Sequence, residues 1–156
     1  MAHSIRSTEN KPTVRKRNKI SKKALAGLLS SCYSTLALAL PSGGAVVDGG
    51  VSIGNSFIEN GLNKININQT TDRGIIDWKN FDLKPDDLVK FIQNNQNSVT
   101  LNRISGAASQ ISGAIEANGN IFLINPNGIV FNNGAKIDVN NLFATTLDIK
   151  SEDYAS

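Results

Sequence analysis

From residue 46 onward almost every segment of this chain reads as a short strand-like run of apolar and polar residues followed by a turn. Ile65 and Ile67 alternate with Asn66 and Asn68, Phe81 and Leu83 with Asn80 and Asp82, and Val99 and Leu101 with Thr100 and Asn102. Ile76 and Trp78 share one side of their own short run, and Ile111, Gly113 and Ile115 alternate with Ser112, Ala114 and Glu116. Successive strand side chains point to opposite faces, so a period of two predicts half-buried β-strands. Each run soon meets a cluster of Asn, Gly, Asp or Pro, as at Lys84-Pro85-Asp86-Asp87, Asn94-Asn95-Gln96-Asn97, Asn118-Gly119 and Asn133-Gly134. Short strands punctuated in this way specify an all-β protein. No window beyond the N-terminal segment carries a helical period.

The sharpest punctuation is Asn125-Pro126-Asn127-Gly128-Ile129. It follows Ile121-Phe122-Leu123-Ile124 and leads at once into Val130 and Phe131. Pro126 fixes its own φ and drives Asn125 out of the helical region, while Asn127 and Gly128 accept positive φ at low cost. A tight strand–turn–strand corner is predicted there.

Two architectures satisfy the pattern. Asn-Gly between alternating runs is the usual hairpin signal and would give an antiparallel sandwich or barrel. The other is a parallel β-helix, whose coils are two or three short strands joined by turns. The aliphatic interior positions, the few aromatics and the Asn-rich corners favour the second, because stacked amides can hydrogen-bond from one coil to the next. A solenoid needs its first coil capped, since an open edge pairs with other chains. Residues 46–60, with Gly49, Gly50 and Gly54, are the expected cap.

The N-terminal segment is different in kind. Residues 1–23 hold eight basic residues against one acidic, a net of +7. An apolar stretch follows over residues 24–40, then Pro41 and the small residues Ser42, Gly43, Gly44 and Ala45. Basic, apolar and small regions in that order make a secretory signal peptide, here an extended one over residues 1–45 with cleavage expected after Ala45 and Ala39 as the second choice. Residues 24–156 hold eight basic and twelve acidic residues, a net of −4, so the exported body has no positive surface for nucleic acid. Cys32 lies inside the signal. The apolar run continues past it, unlike a lipoprotein processing box.

Chemistry is sparse in what remains. Removal of the signal takes away the only cysteine and the only histidine, His3, which excludes a Ser-His-Asp triad, a Cys nucleophile and an ordinary zinc site. No metal ligand set and no cofactor cradle is expected. Carboxylates at Asp72, Asp77, Asp82, Asp86 and Asp87 leave one alternative, a secreted carbohydrate-active β-helix working with paired acids. The plainer reading makes them solvated turn formers and the protein no enzyme.

Four stretches together resemble the N-terminal secretion domain of two-partner-secretion exoproteins, the filamentous-haemagglutinin and high-molecular-weight-adhesin group of Gram-negative bacteria. They are Ile76-Asp77-Trp78-Lys79-Asn80-Phe81, Leu101-Asn102-Arg103-Ile104, Ile121 to Ile129 around its NPNG core, and Ala144-Thr145-Thr146-Leu147-Asp148-Ile149. The resemblance covers residues 46–150, with 151–156 left as a polar tail. It implies a right-handed parallel β-helix, exported through the Sec translocon and recognised in the periplasm by modules of a dedicated outer-membrane β-barrel transporter. The domain would cross that barrel unfolded and nucleate folding at the cell surface. Asn125, Pro126, Asn127, Gly128 and Ile129 would then be the secretion motif, and Trp78, Phe81, Asn102 and Arg103 family-matching structural residues. Contact with a host cell surface or glycans would fall to adhesive repeats that this chain lacks, as a truncated product would. The absence of an NPNL-type motif upstream points to the adhesin-like subgroup.

Overall fold

The computed structural model describes residues 40–147. Residues 1–39 of the expected signal peptide and the tail 151–156 lie outside the described residues. Three short strands open the described chain: β1 (Ala45–Asp48), β2 (Val51–Ile53) and β3 (Phe57–Glu59). The backbone then coils. The first coil carries β4 (Leu62–Gln69) and β5 (Arg73–Trp78). The second carries β6 (Asp87–Ile92), β7 (Val99–Ile104) and β8 (Ser109–Ile111). The third carries β9 (Ala114–Ala117), β10 (Asn120–Ile124) and β11 (Ile129–Phe131), and the fourth β12 (Lys136–Asp138) and β13 (Asn141–Thr145).

Strands from successive coils pair in parallel on every face. One sheet stacks β4, β6, β9 and β12, a second stacks β5, β7, β10 and β13, and a third holds β8 and β11, which Leu83 extends through a bridge to Ile111. This is a parallel β-helix of four coils, and the sandwich alternative is excluded. Asn63 stands beside Asp87, 24 residues on, and Lys90 beside Glu116, 26 residues on. Coils later in the chain are shorter: Asn120 meets Asn141 after 21 residues.

The cap is where the glycine-rich segment placed it. β2 and β3 pair antiparallel with β4, and β1 pairs antiparallel with β5, so both long strands of the first coil have their outer edges covered. Capping extends further back than residue 46. Leu40 is 8% exposed and packs in the main core. Ser42 N donates to Asn80 O at 3.0 Å, and its carbonyl accepts from Lys79 N and Asn80 N at 3.1 and 3.2 Å. The expected cleavage point after Ala45 therefore falls inside the folded unit, within β1.

Ile65, Ile67, Ile76, Val89, Phe91, Ile111, Ile115, Ile121 and Leu123 fill the interior, each almost fully withdrawn from water. Burying one such side chain contributes about 1.5–3 kcal/mol, which is how described residues without a cysteine among them hold together. The interior is not uniformly apolar. In β7 it is Thr100 and Asn102, not Val99 and Leu101, that lie on the same side as core-forming Ile104. Leu101 joins Ile75, Ile124 and Phe122 in a second cluster on the opposite face of that sheet.

Thr100 belongs to a buried hydrogen-bond chain that crosses three coils. Gln93 Nε2 donates to Thr100 Oγ1 at 3.0 Å and to Asn120 O at 3.2 Å, and Thr100 Oγ1 donates to Gln69 Oε1 at 2.5 Å. Gln69 Nε2 in turn reaches Thr71 O and Val99 O. The stacked-amide expectation is met at this same corner, where Asn140 and Asn141 both donate to Asn120 Oδ1, at 3.1 and 2.7 Å. The bonds from Thr100 to Gln69, from Gln69 to Val99, from Gln93 to Asn120 and from Asn140 and Asn141 to Asn120 span adjacent coils, so together they oppose slippage of one coil past the next.

Candidate functional site: the NPNG corner and its cleft

The 125–129 corner joins β10 to β11 in the third coil. Gly128 N donates to Asn125 O at 2.9 Å, closing a four-residue turn with Pro126 at its second position. Gly128 takes φ +110, which a side-chain-bearing residue adopts only with strain. Asn127 does not share that conformation, contrary to the sequence expectation. Its amide instead donates to Asn125 Oδ1 at 3.0 Å, so the turn is held by an Asx bond at negative φ.

Asn125 is the hub. It is 0% exposed. Its Nδ2 donates back to the second coil, to Ala107 O at 2.9 Å and Ser109 Oγ at 3.0 Å. Its amide donates forward to Thr145 O in the fourth coil at 3.1 Å. Asn127 Nδ2 adds a bond to Gly106 O at 2.7 Å, and Ser109 N donates to Gly128 O at 2.9 Å. One residue thus ties three coils, its side chain to the second and its backbone N–H to the fourth, while Pro126 and Asn127 stand in solvent.

Trp78 and Asn102 join the neighbouring sheet to this corner. The buried indole Nε1 donates to Asn102 Oδ1 at 3.0 Å, and Asn102 Nδ2 reaches Phe122 O in the third coil at 3.3 Å. Phe81 packs edge-on against Trp78, centroids 5.7 Å apart at 81°, and stays in the core. Arg103 Nε donates to Asp77 Oδ1 at 2.7 Å on the outer surface. Asp77, Trp78, Arg103, Ser105 and Pro126 line one open cleft of about 380 Å³ beside the turn. The fold therefore brings Trp78, Arg103 and Pro126 together around one cleft, sets Asn102 directly behind Trp78, and leaves Phe81 outside as support. Ala107 and Ser109 were not singled out from the sequence, and Thr145 entered only as part of the 144–149 stretch, with no link to Asn125. Nothing in their residue types marks them, because only stacking makes them neighbours of Asn125.

The carboxylates serve as turn staples. Asp87 accepts from Lys84 N at 2.7 Å and Asn63 Nδ2 at 3.1 Å, Asp82 from Gln110 N at 2.8 Å, and Asp72 from Asn94 and Asn95. On the cap, the hydrogen bond and charge of Lys64 hold the Glu59 carboxyl below its ordinary range. Among the described residues no three His, Cys, Asp or Glu side chains converge as a metal site.

Fold and site together define a β-solenoid scaffold domain, organised around a structural corner with an adjoining surface cleft. The family described as "TPS secretion domain", that of two-partner secretion, matches residues 39–155. A heme/hemopexin-binding protein of Haemophilus influenzae strain KW20/Rd is 43% identical over 112 residues, 71% of this chain and 12% of the relative. A second Haemophilus influenzae protein of the same description is 48% identical over 88 residues, 56% of this chain and 10% of its own length. The crystal structure of the HMW1 secretion domain from Haemophilus influenzae superposes with a TM-score of 0.66 at 36% identity, covering 74% of this chain and 30% of that one. The chain belongs to the TPS secretion-domain family, the part of a two-partner exoprotein that targets it for secretion, and this is not an enzyme family. It spans about a tenth of the length of the curated relatives it matches.

Proposed function

We propose that this domain commits its exoprotein to secretion by presenting the NPNG turn and the adjoining cleft to the periplasmic modules of a cognate outer-membrane β-barrel transporter. The observation that carries the proposal is the division of labour at the corner. Asn125 is buried and bonded to three coils, so the exposed Pro126 and Asn127 are held in one geometry beside the Asp77–Arg103 pair. A preorganised turn loses little entropy on docking.

The chain reaches the periplasm through the Sec translocon on its N-terminal signal, crosses the barrel extended, and folds at the cell surface. The absence of cysteine beyond Cys32 supports passage through a pore, since no disulfide can lock the exported part beforehand. Once outside, the capped first coil directs growth one way. β12 and β13 each have a strand neighbour on one side only among the described residues, and an open edge templates the next coil. Haem ligation of the kind the two Haemophilus relatives' descriptions suggest is not assigned to this domain. The described residues hold no His, Cys, Met or Tyr to ligate haem iron.

The test is secretion of Pro126→Ala and Asp77→Ala variants beside the transporter, with thermal stability measured on the same purified proteins. A fall in the secreted fraction at unchanged melting temperature supports docking here. Secretion at the parental level by both variants would overturn it.

A further inference from the structure

The structure assigns the signal-peptidase cleavage site to the Ala39–Leu40 bond, so that the exported protein begins at Leu40. Among the bonds that satisfy the small-x-small rule for signal cleavage, two compete at the end of the apolar stretch. Ala37-Leu38-Ala39 precedes one, and Gly43-Gly44-Ala45 precedes the other. Sequence alone puts the bond after Ala45 first, and the fold favours the other.

Residues 40–44 are working parts of the domain. The Leu40 side chain is buried in the main core. Ser42 exchanges three backbone hydrogen bonds with Lys79 and Asn80 and forms a β-bridge to Asn80. Gly44 lies so close to the ring of Trp78 that an added Cβ would sit 2.5 Å from its Cζ3 and 2.8 Å from Ile53 Cδ1. Gly43, at φ +65, lies against the Lys79 side chain in the same way. These contacts lead without a break into β1, where Ala45 pairs with Asp77 and Val46 with Ile76. A cut after Ala45 would remove the Leu40 plug and leave Lys79 N and Asn80 N without their acceptor, at the coil end that bears Trp78. A cut after Ala39 removes none of these contacts. The family match, which starts at residue 39, falls at the same boundary.

The assignment is tested by expressing the full chain in a Gram-negative host and measuring the intact mass and N-terminal sequence of the periplasmic protein. An N-terminus at Leu40 is expected. An N-terminus at Val46, or anywhere else, overturns the assignment. Two variants test it independently. Ala39→Asp should leave unprocessed precursor as the dominant species, because a charged residue cannot occupy the small pocket before the scissile bond. Ala45→Asp should be processed at the parental rate and still begin at Leu40. Normal processing of Ala39→Asp, or blocked processing of Ala45→Asp, would place the cut elsewhere.

Discussion

Replacing Asn125 with Ala removes the side chain that ties the second coil to the NPNG turn. Two donated bonds disappear, to Ala107 O and Ser109 Oγ, together with the bond that Asn127 N makes to Asn125 Oδ1. Asn127 is exposed and its amide can turn to water, so that loss is small. Of the other two partners, Ala107 is exposed and its carbonyl can turn to water, whereas Ser109 is buried and its hydroxyl is left dry. At about 1 kcal/mol per buried bond, with a further penalty of about 1–3 kcal/mol for polar atoms left dry, the expected loss is about 2–4 kcal/mol. A domain of this size has about 5–15 kcal/mol to lose, so the variant folds but unfolds earlier. Trp78, the only tryptophan, is buried and reports unfolding by fluorescence. With a urea dependence of about 2 kcal/mol per molar, the midpoint should fall by about 1–2 M at unchanged slope. Asn125→Asp refines the test. It keeps an acceptor for Asn127 N but turns a carboxylate oxygen toward Ala107 O, and burial raises the folded-state pKa above the unfolded value of about 3.9. The native state then holds its proton more tightly, so this variant's stability is greatest below about pH 4 and falls as pH rises through the raised pKa. A shift for Asn125→Ala below about 0.5 kcal/mol, or an Asn125→Asp variant with no extra pH dependence, would refute the hub role.

Three further outcomes follow from the coil-to-coil contacts. Thr100→Val keeps the side-chain shape but deletes the hydroxyl between Gln93 Nε2 and Gln69 Oε1, and a loss of about 1–3 kcal/mol in chemical denaturation is expected. Gly106→Ala places a Cβ 2.0 Å from Lys79 O, and overpacking should lower stability by about 1–3 kcal/mol, read as a lower melting temperature by circular dichroism. The Glu59 carboxyl, held low by Lys64, adds stability above the unfolded carboxylate range that is lost as pH falls through its depressed pKa. Glu59→Gln should therefore lower the melting temperature slightly near neutral pH and not at all in acid.

The strands were legible because each coil buries one face, and burial of one face writes a period of two into the sequence. Ile76 with Trp78, Phe81 with Leu83 and Ile111 with Ile115 lie inward as their spacing indicates. β7 shows where that logic ends. Both its faces are buried, so the apolar Leu101 marks the second cluster while polar Thr100 and Asn102 occupy the main interior. Alternation cannot distinguish the two, because the interior polar groups are satisfied by residues from other coils. The Asn118-Gly119 corner carried a hairpin signal, yet it joins β9 and β10 in different sheets and the pairing is parallel. The tightness of the NPNG turn could be read locally from Pro126 and Gly128. Its partners could not, since Ala107 and Thr145 reach Asn125 only through stacking.

Dependence of export on the second partner tests the central claim most directly. The full chain, produced with and without its outer-membrane transporter, should appear in the medium or at the cell surface only when the barrel is present, and should remain in the periplasm otherwise. Equal appearance outside the cell in both cases, or retention in the periplasm with a functional barrel in place, would contradict a secretion-targeting role.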